Sequence, residues 1–112
     1  MFEHWICTDL QQLPEVRKLS TMFTGDSAAN RIGVIVTDGG DEITLTGNVV
    51  ASIVRPDGVT ITQNGAKSGN RAWVDLPSGA YAVPGQMGVF LKLVNGNDVA
   101  TLGGVECYVY KG

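Results

Sequence analysis

The sequence has few of the side chains on which enzyme and metal chemistry depends. Its 112 residues include two cysteines, Cys7 and Cys107, and one histidine, His4. A closed zinc site usually takes its four ligands in separated pairs, which these three residues cannot supply. His4 has no neighbouring serine or cysteine in a nucleophile motif, and the glycines stand in turn sequences rather than in a phosphate loop. We therefore expect no catalytic residues, no metal site and no cofactor.

Acidic residues gather at only one place in the sequence. Asp38, Asp41 and Glu42 lie close together, and Asp26 precedes them. The run 38–42 lacks the alternating oxygen ligands of a calcium loop. A solvated turn is the favoured interpretation, and a weak calcium site is the alternative. A pair of glycosidase carboxylates is defined by its separation in space, and nothing in the sequence selects one.

Charge and long apolar runs are both scarce. Charged residues make up 17% of the chain, the formal net charge is −3, and the eight lysines and arginines are scattered. Nucleic-acid binding requires clustered basic residues instead. No apolar run approaches the roughly 20 residues that cross a bilayer, and residues 1–6 lack the basic region of a secretory signal. We expect no nucleic-acid partner, no membrane partner and synthesis in a cytoplasm.

The sequence does contain a strong pattern of short β-branched runs with a period of two residues. Hydrophobic residues make up 44% of a length typical of one domain. Glycine, asparagine, aspartate and proline separate the runs, which predict strands at 31–37, 42–46, 49–55, 59–63, 71–76, 86–94 and 99–110. About seven or eight such strands predict an all-β fold, an antiparallel β-sandwich of immunoglobulin-like or jelly-roll-like type. Its predicted core contains Ile32, Val34, Val36, Val74, Leu76, Val89 and Leu91.

Two segments depart from the regular strand pattern. Residues 77–85 are rich in proline and glycine, which predicts an ordered crossover with one short helical turn and Tyr81 in the core. Residues 1–20 form an N-terminal arm or edge segment, whereas 21–112 form the sandwich domain. Within the less regular N-terminal part, 10–13 are compatible with a helical turn and 16–23 with an edge strand.

The N-terminal arm is unusually apolar for a segment outside the strand pattern. Its large side chains are Phe2, Trp5, Ile6 and Leu10, and they are compatible with folding back on the core or with packing on a neighbouring subunit. Cys7 in this arm can pair with Cys107 only if the terminal segments are neighbours. Two reduced thiols are favoured, because cytosolic synthesis keeps cysteines reduced.

Several turn and strand motifs follow one another in a fixed order between residues 20 and 110. They are Gly25-Asp26, Arg31-Ile32-Gly33-Val34, Arg55-Pro56-Asp57-Gly58, Val74-Asp75-Leu76-Pro77, Tyr81-Ala82-Val83-Pro84-Gly85 and Leu91-Lys92-Leu93-Val94. This order resembles the N-terminal domain of phage baseplate upper proteins. That family is a β-sandwich that anchors an appendage to particles of phages infecting Gram-positive bacteria.

The resemblance implies a structural protein of the virion, assembled in the bacterial host cytoplasm. Its implied partners are other virion proteins, and copies of the chain are expected to form a homo-oligomer. Members of the family commonly continue into stalk or receptor-binding regions, whereas this sequence ends at Gly112. A head-decoration or adaptor protein is therefore retained as an alternative to a tail or baseplate component.

Aromatic residues provide the candidates for binding. The predicted interface residues are Phe2, Trp5, Ile6, Leu10 and Trp73, because interfaces favour tryptophan in their desolvated centres. The alternative is a carbohydrate-binding module for a host cell-surface glycan, with a platform built from Trp73, Tyr81, Tyr108 and Tyr110. Coplanar exposed rings would favour sugar binding, whereas rings buried at a subunit contact would favour assembly.

Overall fold

The fold is seen in a computed structural model that describes residues 2–12, 16–18, 22–23 and 30–111. Over these residues the chain forms eleven strands and one 3₁₀ turn. The strands are β1 (Phe2–Asp9), β2 (Val16–Lys18), β3 (Met22–Phe23), β4 (Asn30–Asp38), β5 (Asp41–Glu42), β6 (Asn48–Val54), β7 (Thr60–Asn64), β8 (Ala66–Ser68), β9 (Arg71–Asp75), β10 (Gly85–Asn95) and β11 (Asp98–Tyr110), and the 3₁₀ turn is Ser78–Tyr81. Within this part of the chain no helix is long and apolar enough to span a bilayer.

The strands form two sheets that pack face to face. Sheet one has the order β1-β4-β9-β8, with β5 also paired to β4. Sheet two has the order β2-β11-β10-β6-β7, with β3 also paired to β11. The predicted all-β sandwich is thus confirmed. Seven of the described strands have five or more residues, and the other four have two or three.

Most neighbouring strands are antiparallel, but the N-terminal strands are not. Strand β1 pairs in parallel with β4, and β2 and β3 pair in parallel with β11. Parallel neighbours need a crossover connection rather than a hairpin. Here the chain between β1 and β4 visits sheet two, through β2 and β3, before it returns to sheet one.

The core lies between the two sheets and is built by alternation along the strands. In β4, for example, Ile32, Val34 and Val36 point inward while Arg31 and Ile35 point outward. All seven predicted core residues are buried: Ile32, Val34, Val36, Val74, Leu76, Val89 and Leu91. The 3₁₀ turn lies in the predicted crossover, and Tyr81 at its end is buried as expected.

The predicted strand at 42–46 is wrong beyond its first residue. Only Asp41 and Glu42 pair with β4, and residues 43–46 belong to no strand. This segment carries the chain from sheet one to sheet two, so its backbone cannot follow either ladder. The backbone N–H of Leu45 instead donates to the carbonyl oxygen of Gly69, at 2.9 Å, while the Leu45 side chain enters the core.

The N-terminal segment contributes to both sheets. Residues Phe2–Asp9 form strand β1 of sheet one, and Ile6 is buried in the core of its own chain with 4% of its surface exposed. The predicted edge strand at 16–23 is present as β2 and β3. A turn follows β1 at Leu10 and Gln11, and Leu13, in the segment predicted as a helical turn, lies outside the described residues.

Candidate functional site

The outer face of sheet one carries both tryptophans of the sequence. Trp5 on β1, Gly33 on β4 and Trp73 on β9 are register partners in one row across the sheet. Their neighbours Ile6, Val34 and Ala72 point into the core, so alternation turns this row outward. The two indole rings are half-buried, with centroids 6.2 Å apart and planes inclined by 60°.

Gly33 makes this pairing possible because it leaves space above the middle strand. A Cβ at Gly33 would lie 2.5 Å from two carbon atoms of the Trp5 ring, which is closer than real side chains approach. Glycine in a central strand often marks such a close approach. The Trp5 ring therefore lies across the backbone of β4 towards Trp73.

Two arginines flank the tryptophan pair. The guanidinium of Arg31 lies 5.3 Å from the ring centroid of Trp73, and that of Arg71 lies 5.6 Å from the ring centroid of Trp5. These distances are within the range of cation–π attraction. We call the surface formed by Trp5, Trp73, Arg31 and Arg71 the Trp–Arg face.

The two arginines differ in their ionic partners. Arg31 donates two hydrogen bonds to the carboxylate of Asp75, at 2.7 and 3.2 Å, and lies 3.8 Å from a carboxylate oxygen of Glu3. The hydrogen bonds to Asp75 raise the pKa of Arg31 above its usual value. Arg71 is exposed and forms no ion pair with any described residue. Its positive charge is therefore available to a partner.

The five residues predicted as interface residues do not form one surface. Trp5 and Trp73 meet on the Trp–Arg face, whereas Ile6 is a core residue on the opposite side of β1. Leu10 is 50% exposed in the turn after β1. The side chain of Phe2 lies outside the described residues. The prediction of Ile6 as an interface residue disagrees with its burial, since a side chain in its own core cannot contact a neighbour.

The predicted aromatic platform does not exist as a single surface. Tyr81 is buried with 2% exposure, and its hydroxyl accepts a hydrogen bond from Asn30 at 2.8 Å. Tyr108 and Tyr110 lie on β11 with ring centroids 4.6 Å apart, on the outer face of sheet two. Trp73 lies on the outer face of sheet one. The rings are therefore divided between the core and two different sheets.

Arg31, Arg71 and Gly33 belong to the site, although they are not among the interface residues predicted from the sequence. The two-residue period of β4 did contain a signal for two of them, because it places Arg31 and Gly33 on the face opposite Ile32 and Val34. What the sequence did not contain was the parallel register of β1 and β4, which places Trp5 beside Gly33.

The acidic turn is organised by a carboxylate of β1. Asp9 accepts hydrogen bonds from the backbone N–H groups of Gln11, Gly39 and Gly40, at 2.9, 3.0 and 2.8 Å, and from the hydroxyl of Thr37. These bonds, the one from Gln11 first, lower the pKa of Asp9 to about 2.

The acidic residues of the predicted calcium alternative are not arranged as ligands. Within the described ranges, no group of three or more histidine, cysteine, aspartate or glutamate side chains is placed to hold a metal ion. Asp38 accepts a hydrogen bond from Gln11 at 3.0 Å, and Asp41 and Glu42 are exposed. Asp26 lies outside the described residues.

Both cysteines are thiols. Cys7 is exposed, on the outer face of sheet one, and Cys107 is buried in the core. Burial raises the pKa of the Cys107 thiol to about 11, which makes it a poor nucleophile near neutral pH. The disulfide alternative does not occur in the structure.

Comparison with known proteins finds a similarity of structure but none of sequence. No protein-family model matches the sequence, and no curated protein matches it. The structure is similar to a solved structure described as the N-terminal domain of phage TP901-1 ORF48. The similarity is one of fold. The TM-score is 0.59 over 99% of this chain and 98% of that chain, with 10% sequence identity.

Proposed function

We propose that this chain is a structural domain of a phage virion, in the tail or baseplate, which works by binding other virion proteins and not by catalysis. Two independent features support this proposal. The sequence motifs resemble the N-terminal domain of baseplate upper proteins, and the fold is similar to a domain of a phage protein over nearly the whole chain.

The Trp–Arg face is the observation that carries the proposal. Tryptophan and arginine are the residue types most often found at the energetic centres of protein interfaces. An outer sheet face has no core to pack against, yet here two indoles lie side by side, held by Gly33 below and by Arg31 at the side. Such a rigid, half-buried aromatic pair gives a partner a large contact area at low cost in side-chain entropy.

Charge adds specificity to this contact. Arg31 is already bound by Asp75, so Arg71 is the cation that a partner carboxylate would meet. The partner surface is therefore apolar at its centre with an acidic group at its rim. A repeated virion component satisfies such contacts by symmetry, so the partner is another virion protein or a second copy of this chain.

Cryo-electron microscopy of the native particle tests the proposal directly. We expect the domain in the tail or baseplate, with Trp5 and Trp73 covered by a neighbouring subunit. A position in the head or collar would favour the head-decoration or adaptor alternative. A Trp–Arg face open to solvent in the assembled particle would contradict the proposed contact.

Substitution of Trp5 by alanine tests the same contact in solution. We expect Trp5→Ala to keep the fold and to weaken binding to the virion neighbour by about 2 kcal/mol or more, as for other interface centres. Tyr108→Ala is the control, because Tyr108 is an exposed aromatic residue on the outer face of sheet two, away from the Trp–Arg face. Calorimetry of binding and thermal melting of each variant would separate lost affinity from lost stability.

A further inference from the structure

An open groove borders the segment where the chain passes from sheet two to sheet one. This segment is Asn64, Gly65 and Ala66, between β7 and β8. On one side lies a cavity of about 450 Å³, lined by residues 47–50, 64–67 and 94. On the other side lies a cavity of about 190 Å³, which Gln63, Trp73 and Asp75 also line. Because both cavities share the crossing segment, we call them together the crossover groove.

The walls of the crossover groove are fixed by hydrogen bonds. The backbone N–H of Gly65 donates to the carbonyl oxygen of Val49 at 2.9 Å, and the ammonium of Lys67 donates to the carbonyl oxygen of Gly47 at 2.5 Å. Gly65 itself has no room for a Cβ, because the carbonyl oxygen of Trp73 occupies that position. A site formed in advance spares a ligand the cost of ordering it.

Three side-chain amides at this groove have unused hydrogen-bonding capacity. The amides of Asn48, Gln63 and Asn64 form no hydrogen bond with any residue that the structure describes. Asn70 and Asn95, by contrast, are used within the chain, since Asn70 donates to the carbonyl oxygen of Val36 and Asn95 to the hydroxyl of Thr46. The three groove amides therefore keep both donor and acceptor atoms for a ligand.

The chemistry of the lining selects among ligand classes. Each amide offers a donor and an acceptor side by side, which matches neighbouring hydroxyl groups because each hydroxyl also donates and accepts. The cation of the larger cavity, Lys67, is balanced within the groove by the carboxylate of Asp75 in the smaller cavity, so the lining has no excess of positive charge that would favour a phosphate or carboxylate. Its apolar side chains are Val49, Val50 and Val94 with Ala66, which form no deep pocket for an anchoring side chain.

We propose that the crossover groove binds a neutral oligosaccharide through the amides of Asn48, Asn64 and Gln63. The larger cavity has a volume within the roughly 300–1,000 Å³ of typical ligand sites. The site goes beyond the assembly function proposed above and lies at the β8 edge of sheet one, opposite the β1 edge. Because the groove is open, the expected Kd is on the order of 1 mM.

Titration of the ¹⁵N-labelled chain with maltotriose, cellotriose and chitotriose tests the proposal. We expect at least one of these probes to shift amide resonances of residues 47–50 and 63–67, at concentrations up to about ten times the expected Kd. Asn48→Ala and Asn64→Ala should each raise the Kd about three- to tenfold, because each removes one hydrogen-bonding group. Both side chains are exposed, so both variants should melt at the wild-type temperature.

Gln12→Ala is the matched control, because Gln12 is an exposed amide outside the groove. It should leave the Kd unchanged. No shifts with any of the three saccharides, or shifts that Asn48→Ala and Asn64→Ala leave unchanged, would overturn the proposal. If an extended threonine-rich peptide shifts these resonances and none of the saccharides does, the proposal is also overturned. The groove would then be assigned to binding a protein strand.

Discussion

Gly33 shows how one residue without a side chain controls a surface made by others. Its neighbours in β4 are buried valine and isoleucine, yet at this position the space above the sheet belongs to the Trp5 ring. Any larger residue would compete with the indole for that space. The tryptophan pair therefore depends on the missing side chain at position 33, and amino-acid composition alone does not reveal this requirement.

We expect Gly33→Ala to move the Trp5 ring away from Trp73 and to lower the free energy of unfolding by about 1–3 kcal/mol, as overpacking usually does. Urea unfolding and the near-ultraviolet circular dichroism of the indoles would measure both effects. Gly79→Ala is a suitable control, because the atom nearest to its added Cβ is a carbon of Ile61 at 3.9 Å. Equal stability of the two variants would show that the ring is not held as described.

Asp9 gives a second residue-scale prediction, on pH dependence. The pKa of Asp9 is lowered from an ordinary value of 3.8 to about 2 in the folded chain. The folded state therefore binds fewer protons than the unfolded state in this range, so the contribution of Asp9 is complete above about pH 4 and is lost as pH falls towards 2. Burial raises the pKa of Asp57, but the hydrogen bonds from Arg55 and from the backbone N–H of Val59, together with the charge of Arg55, lower that pKa by more, so it also lies below its ordinary value.

Asp9→Asn separates the contribution of Asp9 from that of Asp57. We expect the variant to be less stable than the wild type at neutral pH and to lose less stability between pH 4 and 2. Urea unfolding midpoints at several pH values would show this as a converging pair of curves. Parallel curves over that range would mean that Asp9 is not the group responsible.

At the scale of elements, β1 combines a structural role with a surface role. Its inward side chains are His4, Ile6 and Thr8, and its outward ones include Trp5 and Cys7. The inward set is partly polar and the outward set partly apolar. This lack of contrast explains why the sequence predicted only an N-terminal arm or edge segment over residues 1–20, whereas β4, β6 and β10 have the strong alternation that made them predictable.

We expect deletion of residues 1–10 to lower the melting temperature by about 10 °C or more. Burial of Ile6 alone is worth roughly 1.5–3 kcal/mol, each kcal/mol shifts the midpoint of a small domain by about 4–8 °C, and the ladder with β4 is lost as well. Differential scanning calorimetry, combined with light scattering, would follow stability and assembly together. A truncated chain that melts like the full chain would show that β1 is dispensable for the fold.

Elements that cross between the sheets were the hardest to predict. Residues 43–46 look like a strand by alternation, but they connect the two layers. Strand β8 is exposed at all three positions, so it has no pattern to detect. Trp5 and Trp73 were both selected from the sequence as anchors, but their meeting depends on the register of strands far apart in the chain, which no local pattern encodes.

At the scale of the whole molecule, the two proposed binding surfaces share a border. Trp73 belongs to the Trp–Arg face and also lines the smaller cavity of the crossover groove. A virion neighbour seated on the Trp–Arg face would approach that cavity. The larger cavity does not include Trp73, whereas Gln63 lines only the smaller cavity beside it, so the virion neighbour and the saccharide would meet at Gln63 rather than at Asn48.

The parallel pairing of β2 and β3 with β11 also dictates an order of events during synthesis. The register joins Val16 to Gly104 and Met22 to Val109, so a ribosome must release nearly the whole described chain before sheet two can be completed. Until then β2 and β3 lack their ladder with β11, and such distant pairings make folding slow. During translation β2 and β3 therefore present unpaired strand edges until β11 has emerged.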